Sequence, residues 1–203
     1  MKILAIGRNY VDHAKELNNP VPEEPVIFLM PETALIKKNQ PFFYPDFSND
    51  VHYEVELVLK INRLGKNISE KFAHRYFDEI GIGIDFTARD LQNELKKKGL
   101  PWEKSKGFDG AAPIGKFLTK ESLSDVQNIS FSLEKNGELV QNGNSKDMIF
   151  SFDAIIAHVS KFFTLKIGDL IFTGTPAGVG PVKIGDELIA KIEGQELLKL
   201  HVK

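Results

Sequence analysis

Glu54 and Glu56 flank Val55 in an otherwise apolar run, His52-Tyr53-Glu54-Val55-Glu56-Leu57-Val58-Leu59-Lys60-Ile61. Such alternation marks a β-strand. Tyr53, Val55, Leu57, Leu59 and Ile61 would share one face and the two glutamates the other, about 6.6–7 Å apart along the chain. Two like charges on one face repel unless water or a cation covers them. A solvated strand face meets that condition as well as a metal site does. Asp85 moves the balance toward a metal, because it ends the apolar stretch Gly81-Ile82-Gly83-Ile84 and a carboxylate there can be aimed into a site. Three carboxylates without soft ligands suit a hard divalent ion such as Mg²⁺. Packed about 4 Å apart they would repel by roughly 4 kcal/mol per pair at an effective dielectric of about 20. A divalent ion would remove that cost.

Other residues could work beside such an ion. His13 and Glu16 have the spacing that shares a helix face. A histidine held by a carboxylate can act as a base toward water, although a charged surface helix gives the same spacing. Arg89 and Gln92 have that spacing too, just after Asp85. They could grip a carboxylate and a carbonyl oxygen, or they could sit on an exposed first turn. Lys106 lies between Trp102 and Phe108 in a segment more apolar than most loops, and Lys104 competes with it for an inward position. A lysine beside a metal could stabilise an enolate. The run Gly174-Thr175-Pro176-Ala177-Gly178-Val179-Gly180 lacks the ending of a nucleotide P-loop and the spacing of a dinucleotide fingerprint. Its glycines would let backbone N–H groups and the Thr175 hydroxyl approach a ligand, or simply make a tight turn. His52, His74, His158 and His201 are scattered and are read as structural or exposed, not as a zinc cluster.

The elements that must position these groups are many short strands and a few helices. Residues 2–6 and 25–29 read as strands, and 8–17 as a short helix or structured loop. Thr87 to Lys98 carries helix punctuation, with Thr87 as N-cap, Asp90 three residues on, Gly99 past the end and Pro101 beyond. Ser151 to Phe163 has helical apolar spacing. Residues 131–141 read as a hairpin turning at Asn136-Gly137. Lys166-Ile167-Gly168-Asp169 recurs as Lys183-Ile184-Gly185-Asp186, two similar turns in a curled β-structure. Residues 20–25 look like a mobile loop, and no low-complexity linker divides the chain.

Composition narrows the classes. The 203 residues, 42% hydrophobic and 27% charged, fit one globular domain spanning 1–203. A net charge of −2 and the lack of a basic stripe argue against nucleic acid. With no cysteine, disulfides, thiol nucleophiles and cysteine metal sites are excluded. The N-terminal apolar run is too short for a signal peptide, and no stretch of about 18 apolar residues would span a membrane. A cytoplasmic protein is expected.

Taken in order, the motifs resemble the fumarylacetoacetate hydrolase family over nearly the whole chain. They are Gly7-Arg8-Asn9-Tyr10, His13-Ala14-Lys15-Glu16, Tyr53-Glu54-Val55-Glu56-Leu57, Gly83-Ile84-Asp85-Phe86-Thr87-Ala88-Arg89-Asp90-Leu91-Gln92, Lys98-Gly99-Leu100-Pro101-Trp102, Lys106-Gly107-Phe108-Asp109, and Gly168-Asp169 through Gly180. Each piece is weak to moderate alone; the series in this order is specific. The resemblance implies a β-rich α+β roll of the family's C-terminal domain type, usually a homodimer. It implies Glu54, Glu56 and Asp85 as ligands of Mg²⁺ or Mn²⁺, and His13 with Glu16 as a water-activating pair on a lid. It places Lys106 with Arg89, Gln92 and Thr175 around the oxygens of a small 2-oxo acid. The short chain looks most like the acylpyruvate hydrolase and oxaloacetate decarboxylase branch. One departure is Phe28-Leu29-Met30-Pro31, where relatives often carry lysine in place of Met30; a positive charge near the site is expected to be missing.

Hydrolysis of a C–C bond in an acylpyruvate-type diketo acid through a chelated enolate is the expected reaction, because the His13–Glu16 pair offers a base for water. Decarboxylation of oxaloacetate and keto–enol isomerisation of 2-oxo acids are its rivals, since all pass through the same enolate. A non-catalytic, metal-stabilised binding protein is the rival from another class. His13, Glu16 and Lys106 argue against that one, because binding alone does not need them.

Overall fold

The computed structural model describes residues 1–16, 20–36 and 40–203. Its strands are apolar on both faces because its largest sheet is covered on both. Seven strands make that sheet, in the order Val26–Met30, Ile3–Gly7, Leu170–Phe172, Val55–Ile61, Phe77–Ile84, Ala112–Thr119 and Leu35–Ile36. Its pairings are antiparallel except Ile3–Gly7 with Leu170–Phe172 and Leu35–Ile36 with Ala112–Thr119. Leu57, Leu59, Ile80, Ile82 and Ile84 join one apolar cluster, whereas Val58, Ile3, Ala5 and Phe172 join a second. Neighbours in sequence thus enter different cores, as a period of two requires.

The larger cluster also takes Phe131, Leu133, Leu188, Ala190, Leu198 and Leu200 from a four-stranded antiparallel sheet. The helix Phe152–Phe162 adds Phe152, Ile155, Ile156 and Val159. This is the α+β, β-rich roll expected from the sequence. The hairpin turns at Asn136 (φ 53°) and Gly137 (φ 83°), the two left-handed residues of a favoured two-residue turn. Ser151 caps its helix by accepting from the Ala154 N–H at 3.2 Å.

Several boundaries differ from expectation. The run containing the glutamates is two strands, Val51–Tyr53 and Val55–Ile61, with Glu54 between them. Thr87 is not a helix cap: it pairs with His52 in a small three-stranded sheet, and the helix is Arg89–Lys98. Asp90 is taken up by the Ser48 hydroxyl at 2.7 Å and the Asn49 N–H at 2.9 Å, so no capping box forms. Gly99 does end that helix, at φ 63°. Residues 8–17 yield the helix Val11–Glu16, and Leu17 lies outside the described residues. Residues 20–25 hold no helix or strand. No helix among the described residues is long and apolar enough to cross a membrane.

The two Lys-Ile-Gly-Asp turns are alike in detail. In each the aspartate accepts from the lysine N–H, at 2.7 Å for Asp169 and 2.8 Å for Asp186. Each glycine has positive φ, 87° and 99°. Their surroundings differ. Asp169 is 1% exposed, also accepts the Lys2 N–H at 2.9 Å, and pairs with the Lys2 ammonium. Asp186 is half-buried and accepts the Asn136 side-chain N–H at 2.8 Å. Asp169→Ala is therefore expected to cost about 2–4 kcal/mol, because it strands buried donors, and Asp186→Ala about 1 kcal/mol. Urea denaturation of both variants checks this; equal losses would mean that burial does not set the cost.

Candidate active site

One backbone hydrogen bond brings the acids together. The Asp85 N–H donates to the Glu54 carbonyl at 2.8 Å, just beyond the Val55–Ile84 pair. Glu56 sits two residues further along, inside the strand Val55–Ile61 and opposite Gly83. Carboxylate oxygens of Glu54, Glu56 and Asp85 lie within 4.8 Å of one another. All three side chains are buried, at 5%, 2% and 1% exposure, which rules out a solvated strand face.

Two cations and one backbone amide answer this charge. Lys106 Nζ donates to Glu54 Oε2 at 2.7 Å and to Asp85 Oδ2 at 2.6 Å. It comes from the short helix Glu103–Lys106 and is buried, whereas Lys104 is exposed; of the two candidates, Lys106 is the inward one. Arg89 Nη2 donates to Glu54 Oε1 at 2.5 Å, and its Nη1 donates to Gln92 Oε1 at 2.7 Å. Arg89 and Gln92 do point the same way, on a buried first turn. The arginine's charge, however, is engaged by Glu54. Glu56 accepts the Gly174 N–H at 2.7 Å. Gly174 has φ 101°, and a Cβ there would stand 2.6 Å from that of Asn9, so only glycine serves.

The proton affinities follow from these partners. Burial would raise all three acids. For Glu54 burial is outweighed by the charges of Lys106 and Arg89 and by the Lys106 hydrogen bond, which hold it well below the ordinary range. For Asp85 burial wins over Lys106 and, with help from Glu54, pushes it up to about 7. Glu56 is pushed well up by burial and by Asp85. Lys106, which burial alone would lower, is raised by Asp85 and Glu54. Three carboxylates thus face two side-chain cations, and Asp85 Oδ1 is buried with no hydrogen-bond partner among the described residues. An all-oxygen cluster of this charge, with a ligand atom uncommitted, fits a hard divalent ion.

The cleft above the acids encloses about 460 Å³, part of it open to solvent, and is lined by His13, Arg8, Phe28, Arg89, Gln92, Lys96, Trp102, Lys106 and Thr175 besides the three acids. His13 is buried, and its Nδ1 lies 3.4 Å from Glu16 Oε2. Burial lowers its pKa below 6.5, only partly opposed by Glu54 and Glu16, so the ring is neutral at neutral pH. Glu16 in turn accepts the Gly178 N–H at 3.1 Å. Among the described residues no other histidine lines the cleft. Met30 does not line it either. Its side chain is packed in the second apolar cluster with Phe28, so an apolar packing group occupies the position where a charge was expected to be missing.

Two positioning residues were not singled out from sequence. Gln141, 1% exposed, accepts the Val55 N–H at 2.9 Å and donates to Thr175 Oγ1 and to the Pro176 carbonyl, both at 2.9 Å. It ties the strand between the two glutamates to the glycine-rich loop. Asn9 donates to the Thr173 carbonyl at 2.8 Å and to that of Phe150 at 3.1 Å, and accepts the Phe150 N–H at 2.8 Å. Asn9 lies inside a quoted motif, but only the fold reveals what it holds. Gln141 carried no local signal at all.

Residues 2–203 match the family described as Fumarylacetoacetate (FAA) hydrolase C-terminal, and the chain belongs to that family. The protein named oxaloacetate tautomerase YcgM, from Escherichia coli (strain K12), is 44% identical over 197 residues, 97% of this chain and 90% of that one. A Dictyostelium discoideum protein named oxaloacetate decarboxylase, mitochondrial, is 43% identical over 194 residues, 95% and 89% of the two chains. The crystal structure of fumarylpyruvate hydrolase from Pseudomonas aeruginosa in complex with Mn²⁺ and pyruvate has a TM-score of 0.93 at 34% identity, covering 100% of this chain and 89% of that one. The fold and the family expected from the motifs both stand. These relatives are named as a tautomerase, a decarboxylase and a hydrolase.

Carboxylates bind a cation only when deprotonated; burial pushes Asp85 up to about 7 and raises Glu56 well above its ordinary value. Mn²⁺ is therefore expected to raise the melting temperature more at pH 8 than at pH 5.5, and to displace protons when bound at pH 6. Thermal scans, with calorimetry in buffers of different ionisation enthalpy, check this. An identical shift at both pH values would remove these two acids from the binding set.

Proposed function

We propose that this protein interconverts the enol and keto forms of oxaloacetate or a closely similar 2-oxo acid. The observation that carries the reading is a neutral, buried imidazole, His13, lining a small cleft over the Glu54–Glu56–Asp85–Lys106 cluster. The 44% identity to a protein named oxaloacetate tautomerase supports it.

Glu54, Glu56 and Asp85 would hold Mg²⁺ or Mn²⁺, which supplies Lewis-acid polarisation of a 2-oxo acid's carbonyl. The chain's own groups do the rest. Lys106, fixed by two carboxylates, keeps one N–H uncommitted among the described residues and presents a positive charge to an oxygen that becomes negative. Neutral His13, oriented by Glu16, accepts the proton leaving C3; the C2–C3 double bond forms, the carbonyl oxygen takes the electron pair and then a proton from solvent to give the enol, and His13 returns its proton to solvent. In the other direction the imidazolium returns a proton to C3. The balance consumes no water. Thr175, whose oxygen already accepts from Gln141, can donate its hydroxyl proton to the substrate, and Gln92 lines the same wall.

Decarboxylation of oxaloacetate is the second reading, favoured by the 43% identity to the Dictyostelium protein. It uses the same charge cluster and needs no base at C3. Acylpyruvate hydrolysis has the less similar hydrolase at 34% identity behind it, and it requires a water between His13 and a carbonyl.

Three assays in Mg²⁺ separate these readings: ultraviolet decay of enol-oxaloacetate, pyruvate release from oxaloacetate, and cleavage of acetylpyruvate. The enol decay is expected to be the fastest. Acetylpyruvate cleavage with no acceleration of enol decay would replace the proposal by hydrolysis. His13→Ala is expected to bind Mn²⁺ as before yet lose about 10²–10⁴-fold in enol–keto rate, with little loss of decarboxylation. Lys106→Ala is expected to depress both turnovers about 10²–10³-fold. An unchanged rate in either variant takes that residue out of the chemistry.

A further inference from the structure

Lys106 commits two of its three N–H bonds to Glu54 and Asp85. What stands beside the third governs how the ammonium meets an incoming oxygen. Its Nζ lies over the Phe28 ring, 5.5 Å from the ring centre. Lys60, Lys71, Lys120 and Lys135 also approach rings, but none of them is buried. Lys106 is 3% exposed and Phe28 9%, and a cation over a ring gains most where water is excluded.

Backbone elements build this contact. Phe28 and Met30 are the buried residues of Val26–Met30, an edge strand of the large sheet. The helix Glu103–Lys106 is held near that strand at both ends. Trp102, just before it, packs on Phe28 with ring centres 6.0 Å apart. Gly107, just after it, comes so near Pro31 that a Cβ there would stand 3.0 Å from the proline Cδ. Held at both ends, the helix has little freedom to carry Lys106 away from Phe28.

The chemistry of a ring suits this place. A water against the third N–H would be a good acceptor that a substrate oxygen must displace. An aliphatic side chain would exclude water but leave the charge without a partner. The negative face of an aromatic ring attracts the ammonium and excludes water, and it accepts an N–H only weakly. Resting on the role given above to Lys106 at the substrate's oxygen, we propose that Phe28 is a positioning residue: its ring keeps the Lys106 ammonium dry and in place until an oxygen that is becoming negative takes the free N–H.

Ring fluorines drain the negative face while changing the ring's size little. Phenylalanine analogues with one, two and three fluorines at position 28 are expected to lower kcat for enol-oxaloacetate stepwise, by about 3–30-fold over the series. KM is expected to stay within about twofold, since the contact matters most when the oxygen carries charge. Mn²⁺ affinity, measured by calorimetry, should stay constant across the series. Phe28→Leu should lose at least as much kcat as the trifluoro protein. The near-isosteric analogues keep the test available if the leucine variant does not fold. A flat kcat series would overturn the proposal, whether or not Phe28→Leu is slow, because volume and not the ring face would then matter. Mn²⁺ affinity falling in step with kcat would also overturn it, by placing the effect on the acids. Wild-type protein that leaves enol decay at the buffer rate but releases pyruvate from oxaloacetate refutes the tautomerase reading instead. A stepwise fall in pyruvate release would then leave the role of Phe28 standing, and a flat series there would end it.

Discussion

Three carboxylates share one buried volume, and the surrounding residues are arranged around that fact. Glu54, Glu56 and Asp85 lie within 4.8 Å of each other with almost no water contact. Buried like charges of this kind need partners close at hand. Lys106 spans Glu54 and Asp85, Arg89 grips the other oxygen of Glu54, and a backbone N–H meets Glu56. The division is uneven. Glu54 takes both cations and stays ionised, while Asp85 and Glu56 retain protons more firmly. A divalent ion would complete the neutralisation at the side of the cluster that the cations leave short, where Asp85 Oδ1 has no partner.

Rigidity around this cluster comes from amides rather than charges. Asn9 sits between the strand Ile3–Gly7 and the helix carrying His13, and its side chain holds the carbonyl of Thr173. The next residue, Gly174, is the one that meets Glu56. Gln141 reaches from the hairpin to the Val55 N–H and to Thr175. Glu16 closes the circuit by accepting the Gly178 N–H. The proton-transfer candidate and the acid cluster are thereby tied to the same glycine-rich loop, which keeps their separation fixed.

What could be read from the chain alone follows the range of the interactions. The glutamate pair was legible because alternation is local, and the Asn136-Gly137 turn because two residues suffice to specify it. Asp85 was legible as a strand end. The extent of the glutamate strand was not, because the break at Glu54 is imposed by pairing with Thr87–Ala88 and Gly180–Pro181. Thr87 carries the side chain of a helix cap, yet it joins a strand and Asp90 is claimed by the distant Ser48. Lys104 and Lys106 are equivalent in composition, and only the turn of a short helix against the second core decides between them. Gln141 had no signal, since its meaning lies 86 residues away at Val55. Met30 packs in the second apolar cluster beside Phe28, a placement that depends on the tertiary fold and not on its local sequence. The order of motifs carried the family because it sums many weak local matches.

The acid cluster by itself cannot decide among tautomerisation, decarboxylation and hydrolysis, because each develops negative charge on the same oxygen. The deciding feature must be what stands across the cleft from it. A base that is to activate water needs room for that water and a line to the carbonyl. A base that is to move a carbon-bound proton needs only direct access and a neutral resting form. His13 is 5% exposed and its charged form is disfavoured by burial. It also sits at a long 3.4 Å from Glu16, which itself is partly engaged by Gly178. A carboxylate so engaged orients the ring more than it raises its basicity. That combination supports a modest base exchanging a proton with an already acidified carbon.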